Sequence, residues 1–394
     1  MRETTHAHHS RNAIVPFQCA TPQAIVDDLR ERLARTRWPD QLDGAEWDYG
    51  TEREYLRELC AYWADQFDWH AAEARFNAYP QYMTQVDGEN LHFYHIRSPE
   101  PDAIPLVIVH GYPGSVTEFL EVFGPLSDPA RHGGSRRDAF HVIAPSIPGY
   151  GWSGPTQRQG FDTNSAAAAF VTLMERLGYS RYVVQGGDWG ARIVTAMAEQ
   201  RPDRVASIHL NMIGGSPPDP NDPLAGLTDD EIAYVTWKKA YDARESGYYA
   251  IQSTKPQSLA YGLTDSPAGL AGWIVEKFRT WSDCDGEVER AFSKDQLLEN
   301  IMLYWVTGTI NSAMRLYYES LGPGRFSASL GERLMVPTGH AQFPGDIRRT
   351  PRAWAERAYN IVHWKRMPQG GHFAALEQPQ LFVDELRGFF SGFR

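Results

Sequence analysis

Cysteine is scarce: the chain of 394 residues holds three, Cys19, Cys60 and Cys284. An odd number with no CxxC pair excludes a disulfide framework and reads as a reduced, cytoplasmic protein. Metal signatures are missing as well. No HExxH and no Cys/His ladder occurs, so neither a metal nor any other cofactor is expected. His6, His8 and His9 cluster near the N-terminus, but a polar terminus is ordinarily a solvated, flexible tail. Positive charge is in deficit: 38 Lys and Arg face 49 Asp and Glu, a formal net charge of -11. That balance argues against nucleic acid as a partner. No long apolar run exists, so no membrane span is expected. Met1 to Asn12 lacks the apolar centre of a signal peptide. Internal repeats and low-complexity tracts are also lacking.

What is present reads as globular, with 42% hydrophobic and 22% charged residues. The length suits one large catalytic domain with additions, or two or three packed units. Four segments separate: 1–90, 91–213, 214–326 and 327–394. From about Thr21 to about Tyr82 the pattern is helical and aromatic, as in Ile25 to Leu33, where Thr21-Pro22 supplies a cap and a first-turn proline. Strands follow at Leu91 to Ile96, Pro105 to Val109 and Phe140 to Ala144, then a helix over Ser165 to Leu177. Strands at Tyr182 to Val184 and Val205 to Leu210 continue the alternation, which predicts a parallel α/β sheet. Pro217-Pro218-Asp219-Pro220 opens an interruption with helices over Asp229 to Glu245, Leu270 to Arg279 and Lys294 to Tyr318. Strands return at Arg333 to Pro337 and Ile361 to Met367. A helical insertion at that point is a lid over the strand ends, where such sheets bind ligands.

Serine is missing from the position where it would be most expected. Gly186-Gly187-Asp188-Trp189-Gly190 has the Gly-x-nucleophile-x-Gly form of a nucleophile elbow, between a strand and a helix-permissive run. An aspartate at the tip cannot run serine-type acyl transfer. It can open a strained or activated C–O or C–halogen bond and become an alkyl ester. That ester must then be hydrolysed by a water activated by a histidine, itself oriented by a carboxylate. His372, in Gly370-Gly371-His372-Phe373 after the last strand, is the leading base. His340, in a loop, and His363, inside a strand, are the alternatives. Asp346, in the loop after Arg333 to Pro337, leads as the orienting acid, with a helix N-cap as its other reading. His110-Gly111-Tyr112-Pro113-Gly114 follows an apolar strand, where the second oxyanion donor of such a site belongs. The amides of Tyr112 and Trp189 are the expected pair.

Taken together these motifs are similar to those of the microsomal-type epoxide hydrolases of the α/β-hydrolase superfamily, along nearly the whole chain. The likeness includes Arg37-Trp38-Pro39 and Phe76-Asn77-Ala78-Tyr79-Pro80 in the front segment. In the core it includes His110 to Ser115, Gly186 to Gly190 and Gly370 to Ala375. In the lid it includes Glu245 to Tyr248, Ile251 to Pro256 and Asp265 to Leu270. The resemblance implies an α/β-hydrolase fold with a mostly parallel central sheet, a helical cap inserted in the core and a helical N-terminal layer. It implies that Tyr248 and Tyr317 activate an epoxide oxygen, each with a tyrosine neighbour, Tyr249 and Tyr318. A phenol near pKa ~10 can donate without being ionised at neutral pH. The substrate so implied is an apolar or aryl epoxide, converted to a vicinal diol without a cofactor; a homodimer is left open. The chain departs from the family at Tyr112, where tryptophan is frequent, and it lacks the membrane anchor of the animal members. A haloalkane dehalogenase, with Trp189 on the halide, and a non-catalytic binding protein are the rival readings.

Overall fold

The computed structural model describes residues 12–325 and 332–394. His6, His8 and His9, and the Phe326 end of the insertion, lie outside them. The front segment opens with a short strand, β1 (Val15–Phe17), and three helices, α1 (Gln23–Ala34), α2 (Arg53–Asp65) and α3 (Trp69–Phe76). Glu52 and Asp68 cap α2 and α3 by accepting first-turn amides. The segment is not helical throughout. β2 (Gln81–Val86) and β3 (Glu89–Ile96) form a hairpin on Asp87-Gly88, both at positive φ. A two-residue Asp-Gly loop has the twist that a hairpin needs.

The core continues with β4 (Ile104–Val109), α4 (Leu120–Ser127), β5 (Phe140–Pro145), α5 (Thr163–Arg176), β6 (Tyr182–Gly186), α6 (Asp188–Gln200) and β7 (Val205–Leu210). The insertion then supplies α7 (Asp229–Glu245), α8 (Gly247–Thr254), α9 (Pro256–Asp265), α10 (Pro267–Trp281), α11 (Lys294–Thr307) and α12 (Ile310–Leu321). The single helix expected over Lys294 to Tyr318 is thus two. Gly308, at φ 62°, ends α11 in the left-handed conformation that glycine tolerates, and the chain turns before α12. The core closes with β8 (Leu334–Gln342), α13 (Arg352–Ala355), β9 (Tyr359–Arg366), α14 (Ala374–Glu377) and α15 (Pro379–Phe390). β8 runs five residues beyond its expected end at Pro337, so His340 belongs to a strand rather than a loop.

The nine strands form one sheet in the order β1-β2-β3-β5-β4-β6-β7-β8-β9. Pairings up to β3–β5 are antiparallel and the rest parallel. Leu106 to Val109 and Tyr182 to Gly186 are buried throughout, as strands covered on both faces must be. In the cap, α12 packs on α8 and α9. The front helices brace it, α1 and α2 against α10, and α2 and α3 against α11. Arg75 of α3 pairs with Glu299 of α11 and Glu121 of α4, joining front layer, cap and core.

Candidate active site

Parallel strands end on one edge of the sheet, and the chemistry-bearing loops collect there. β6 runs into the elbow, with Asp188 at φ 47° as the first residue of α6. Holding a non-glycine residue there costs about 1–3 kcal/mol. It lifts the carboxylate clear of the backbone. The flanking glycines are required by space: a Cβ on Gly186 would lie 2.4 Å from the Gly190 backbone, and one on Gly190 2.0 Å from the Val109 carbonyl. Strand, turn and helix can meet so closely only without those side chains.

The loop after β4 supplies the expected donor. The Tyr112 amide donates to Asp188 Oδ1 at 2.8 Å, and the Trp189 amide adds to the pull that lowers the Asp188 carboxyl. That turn is tied down on both sides. The Ile147 amide donates to His110 Nε2, while Asn300 and Tyr304 of α11 donate to the carbonyls of Pro113 and Gly114.

His372 follows β9. Its Nδ1 lies 3.0 Å from Asp346 Oδ1, and its Nε2 lies 3.7 Å from Asp188 Oδ2. The two carboxylates therefore meet opposite nitrogens of one imidazole. No helix follows Asp346, which removes the N-cap reading, although Asp346 also accepts the Arg348 amide. Burial pushes the Asp188 carboxyl up, while His372 and the Tyr112 and Trp189 amides pull it down; the balance is upward. Burial depresses His372, but Asp346, Asp188 and Glu118 outweigh it and bring its pKa to about 9. The rival histidines stand elsewhere. His340 Nδ1 bonds the Leu210 carbonyl and its ring packs on Trp364; His363 bonds Glu385 at 2.6 Å.

The cap brings both tyrosines over the elbow. The Tyr317 ring lies edge-on to Trp189 at 4.6 Å, to Tyr112 at 5.4 Å and to Tyr248 at 6.0 Å. Tyr248 meets Tyr317 edge-on, so the two phenols stand side by side. Burial raises both phenols, with the Asp188 charge adding to it, so both remain protonated donors. Of their neighbours, Tyr318 takes Arg325 on its face, while Tyr249 reaches the Tyr317 ring at 6.0 Å but bonds neither Asp188 nor Tyr248. The Tyr112 hydroxyl accepts from Trp273 Nε1 of α10 at 2.8 Å, so the residue that departs from the family pattern ties the oxyanion loop to the cap.

Several residues at the site carry no signal in the sequence. Glu118 borders the same cleft, which is lined also by Gly111, Gln185, Asp188, Asn211 and His372. Burial and the charges of Asp188 and Glu377 push its pKa up to about 8, against the pull of His372. Glu377 accepts the Asp283 and Phe373 amides, and burial raises it to about 7. Trp281 stands 5.0 Å from the His372 ring and 5.2 Å from the Tyr248 ring. Glu118 lies four residues past Gly114 and Glu377 five past His372, spacings that mark no chemistry by themselves. Among the described residues no group of His, Cys, Asp and Glu could hold a metal ion, and no helix is long and apolar enough to cross a membrane.

The sheet, the elbow and the acid–histidine pair define an enzyme of the α/β-hydrolase fold. Family models agree: residues 104–242 match the alpha/beta hydrolase fold, and residues 14–119 match the epoxide hydrolase N terminus. Epoxide hydrolase 1 of Oryctolagus cuniculus is 40% identical over 96% of this chain and 88% of its own. The crystal structure of juvenile hormone epoxide hydrolase from the silkworm Bombyx mori superposes with a TM-score of 0.89 at 34% identity, over 97% of this chain and 95% of that one. The Aspergillus niger epoxide hydrolase structure gives 0.86 at 28% identity, over 97% of each chain. The chain belongs to the epoxide hydrolase family.

Proposed function

We propose that the protein hydrolyses an epoxide to a vicinal diol in two steps through an aspartyl ester. The observation that carries this reading is the division of labour at Asp188. Oδ1 is held by the Tyr112 amide, while Oδ2 faces His372 and the cleft. In the first step Oδ2 attacks an epoxide carbon. The C–O bond breaks, and its electron pair stays on the oxygen, which takes a proton from the Tyr248–Tyr317 pair. Esterification removes the negative charge of Asp188, one of the causes that raise His372. The histidine is thereby released to act as a base on water. Water attacks the ester carbonyl carbon, and the Tyr112 and Trp189 amides hold the resulting oxyanion on Oδ1. Collapse of that intermediate breaks the bond from the carbonyl carbon to Oδ2. The leaving alkoxide takes the proton held by His372 and departs as the diol, and the proton on the regenerated carboxyl returns the Tyr248–Tyr317 pair to its neutral form.

The aromatic walls formed by Tyr112, Trp189, Trp281 and Tyr317 favour an apolar or aryl epoxide. A haloalkane reading draws on Trp189, whose Nε1 meets no protein acceptor among the described residues. Two adjacent phenols over the elbow suit a leaving oxygen that needs a proton, which a halide does not. Single turnover of styrene oxide in heavy-oxygen water tests the pathway. Label is expected in Asp188 and not in the first diol released. Label confined to the diol, with Asp188 unlabelled, would mean direct attack of water on the epoxide and the end of the ester mechanism.

A further inference from the structure

A lysine is buried in the cap beside the proton donor. Lys277 of α10 is 5% exposed, and buried lysines are rare unless something holds them. Its ammonium pairs with Glu276 and lies 4.7 Å from the centroid of the Tyr248 ring and 6.0 Å from that of Trp281. Lys277 and Trp281 stand four residues apart on one face of α10, so the helix presents a cation and an indole together. Tyr248 sits between this face and Tyr317, with Asp188 beyond.

We propose that Lys277 is a positioning residue for Tyr248, its ammonium on the ring face making that phenol a better proton donor while the epoxide opens. The inference rests on the role given to Tyr248 above. A cation is attracted by the negative face of an aromatic ring, and the attraction grows with the electron density of the ring. As the C–O bond breaks and its electron pair gathers on the epoxide oxygen, the Tyr248 O–H bond lengthens and the ring moves towards phenolate. The ammonium therefore interacts more strongly with the transition state than with the ground state, which is what acceleration requires. Glu276 makes it possible to keep the cation buried, and water-poor surroundings strengthen its field. Lys277 touches neither substrate nor Asp188, so its effect must pass through Tyr248. It should also be confined to the alkylation step, because ester hydrolysis depends on His372.

Rapid-quench single turnover with styrene oxide, read as mass added to the intact protein, resolves the two steps. Lys277→Met is expected to slow alkylation on the order of tenfold and to leave ester hydrolysis within about twofold. Lys277→Arg, which keeps the charge, should recover most of the loss. In a Tyr248→Phe background the Met substitution should add nothing, because its route is gone. Equal losses in both backgrounds, equal slowing of both steps, or a Met variant as fast as the parent would each overturn the proposal. Lys277→Gln replaces Met if that variant does not fold. Failure of the underlying reading looks different: Tyr248→Phe alone would then leave alkylation unchanged, and the inference falls with it.

Discussion

Three side chains share one protonic circuit. Asp188, His372 and Asp346 lie in a row, and the charge on each outer carboxylate lifts the imidazole between them to about 9 against the effect of burial. Asp346→Asn keeps the shape but removes one of those charges. Neutral imidazole is then favoured at lower pH, so the ascending limb of ester hydrolysis should move to lower pH. Its plateau should fall on the order of 10²–10⁴-fold, because the base loses its orienting partner. Alkylation should continue, so the ester accumulates and can be followed by intact mass across a pH series. A plateau equal to that of the parent would show that Asp346 does not serve the base. That Asp188 and His372 meet was legible because a glycine-flanked tip leaves little freedom in what surrounds it, and because paired glycines before His372 follow a strand end. Glu118, Glu377 and Lys277 were not. Their proximity to the site is made by folding and not by spacing, and a charged residue in a sequence is ordinarily a solvated one.

Among the elements, α10 does more than roof the pocket. The Trp281 carbonyl at its end accepts the His372 amide at 2.9 Å, and just beyond it Asp283 accepts the Gly370 amide at 2.8 Å. Glu377 closes the clamp from α14 by accepting the Asp283 amide. The cap thus fixes the loop that carries His372, as well as holding Tyr248 and Tyr317. Asp283→Ala removes one anchor and should slow ester hydrolysis roughly tenfold through misplacement of His372, with alkylation nearly unchanged. Stopped-flow measurement of both phases checks this, and a loss confined to alkylation would count against the clamp. The alternation of strands and helices made the central sheet readable, because parallel strands carry continuous apolar runs. The exceptions have local causes. Asp87-Gly88 is a hairpin signal, but it stands at the end of a helical run, and β2 is half polar, which hid the strand before it. Gly308 breaks an apolar pattern that continues on both sides, so periodicity alone joined α11 to α12. His340 lies in β8 because Thr338 to Ala341 are buried between β7 and β9, although Thr-Gly-His reads as a loop.

Across the whole molecule, two sets of buried groups set the dependence of stability on pH, with opposite signs. His92, His110 and His340 are at most 1% exposed. Burial holds His92 down to about 3 and the other two to about 4. Their folded values lie below the unfolded value of about 6.5, so the stability they contribute is complete above that pH and is lost as pH falls towards about 4. Glu118 at about 8, Glu377 and Glu299 at about 7 and His372 at about 9 lie above their unfolded values. Their contribution is complete below about 4.3 for the carboxyls and about 6.5 for the histidine, and is lost as pH rises through the folded values. Between about 4.3 and 6.5 the depressed histidines, His95 and His209 among them, and the raised carboxyls, Asp188 and Glu199 among them, act with opposite signs and partly cancel. Above about 6.5 only the second set still titrates, at about 1.4 kcal/mol per group per pH unit. Below about 4.3 the histidines act with Glu385, whose carboxyl is held low by His209, Lys365 and His363 despite burial. The melting temperature should therefore depend only weakly on pH in mild acid, with a fall worth several kcal/mol between pH ~6.5 and ~9. Calorimetry over that range checks it, and a melting temperature that rises towards pH ~9 would contradict the assignment. His372→Gln should flatten the alkaline fall, because the group with the highest folded value has gone.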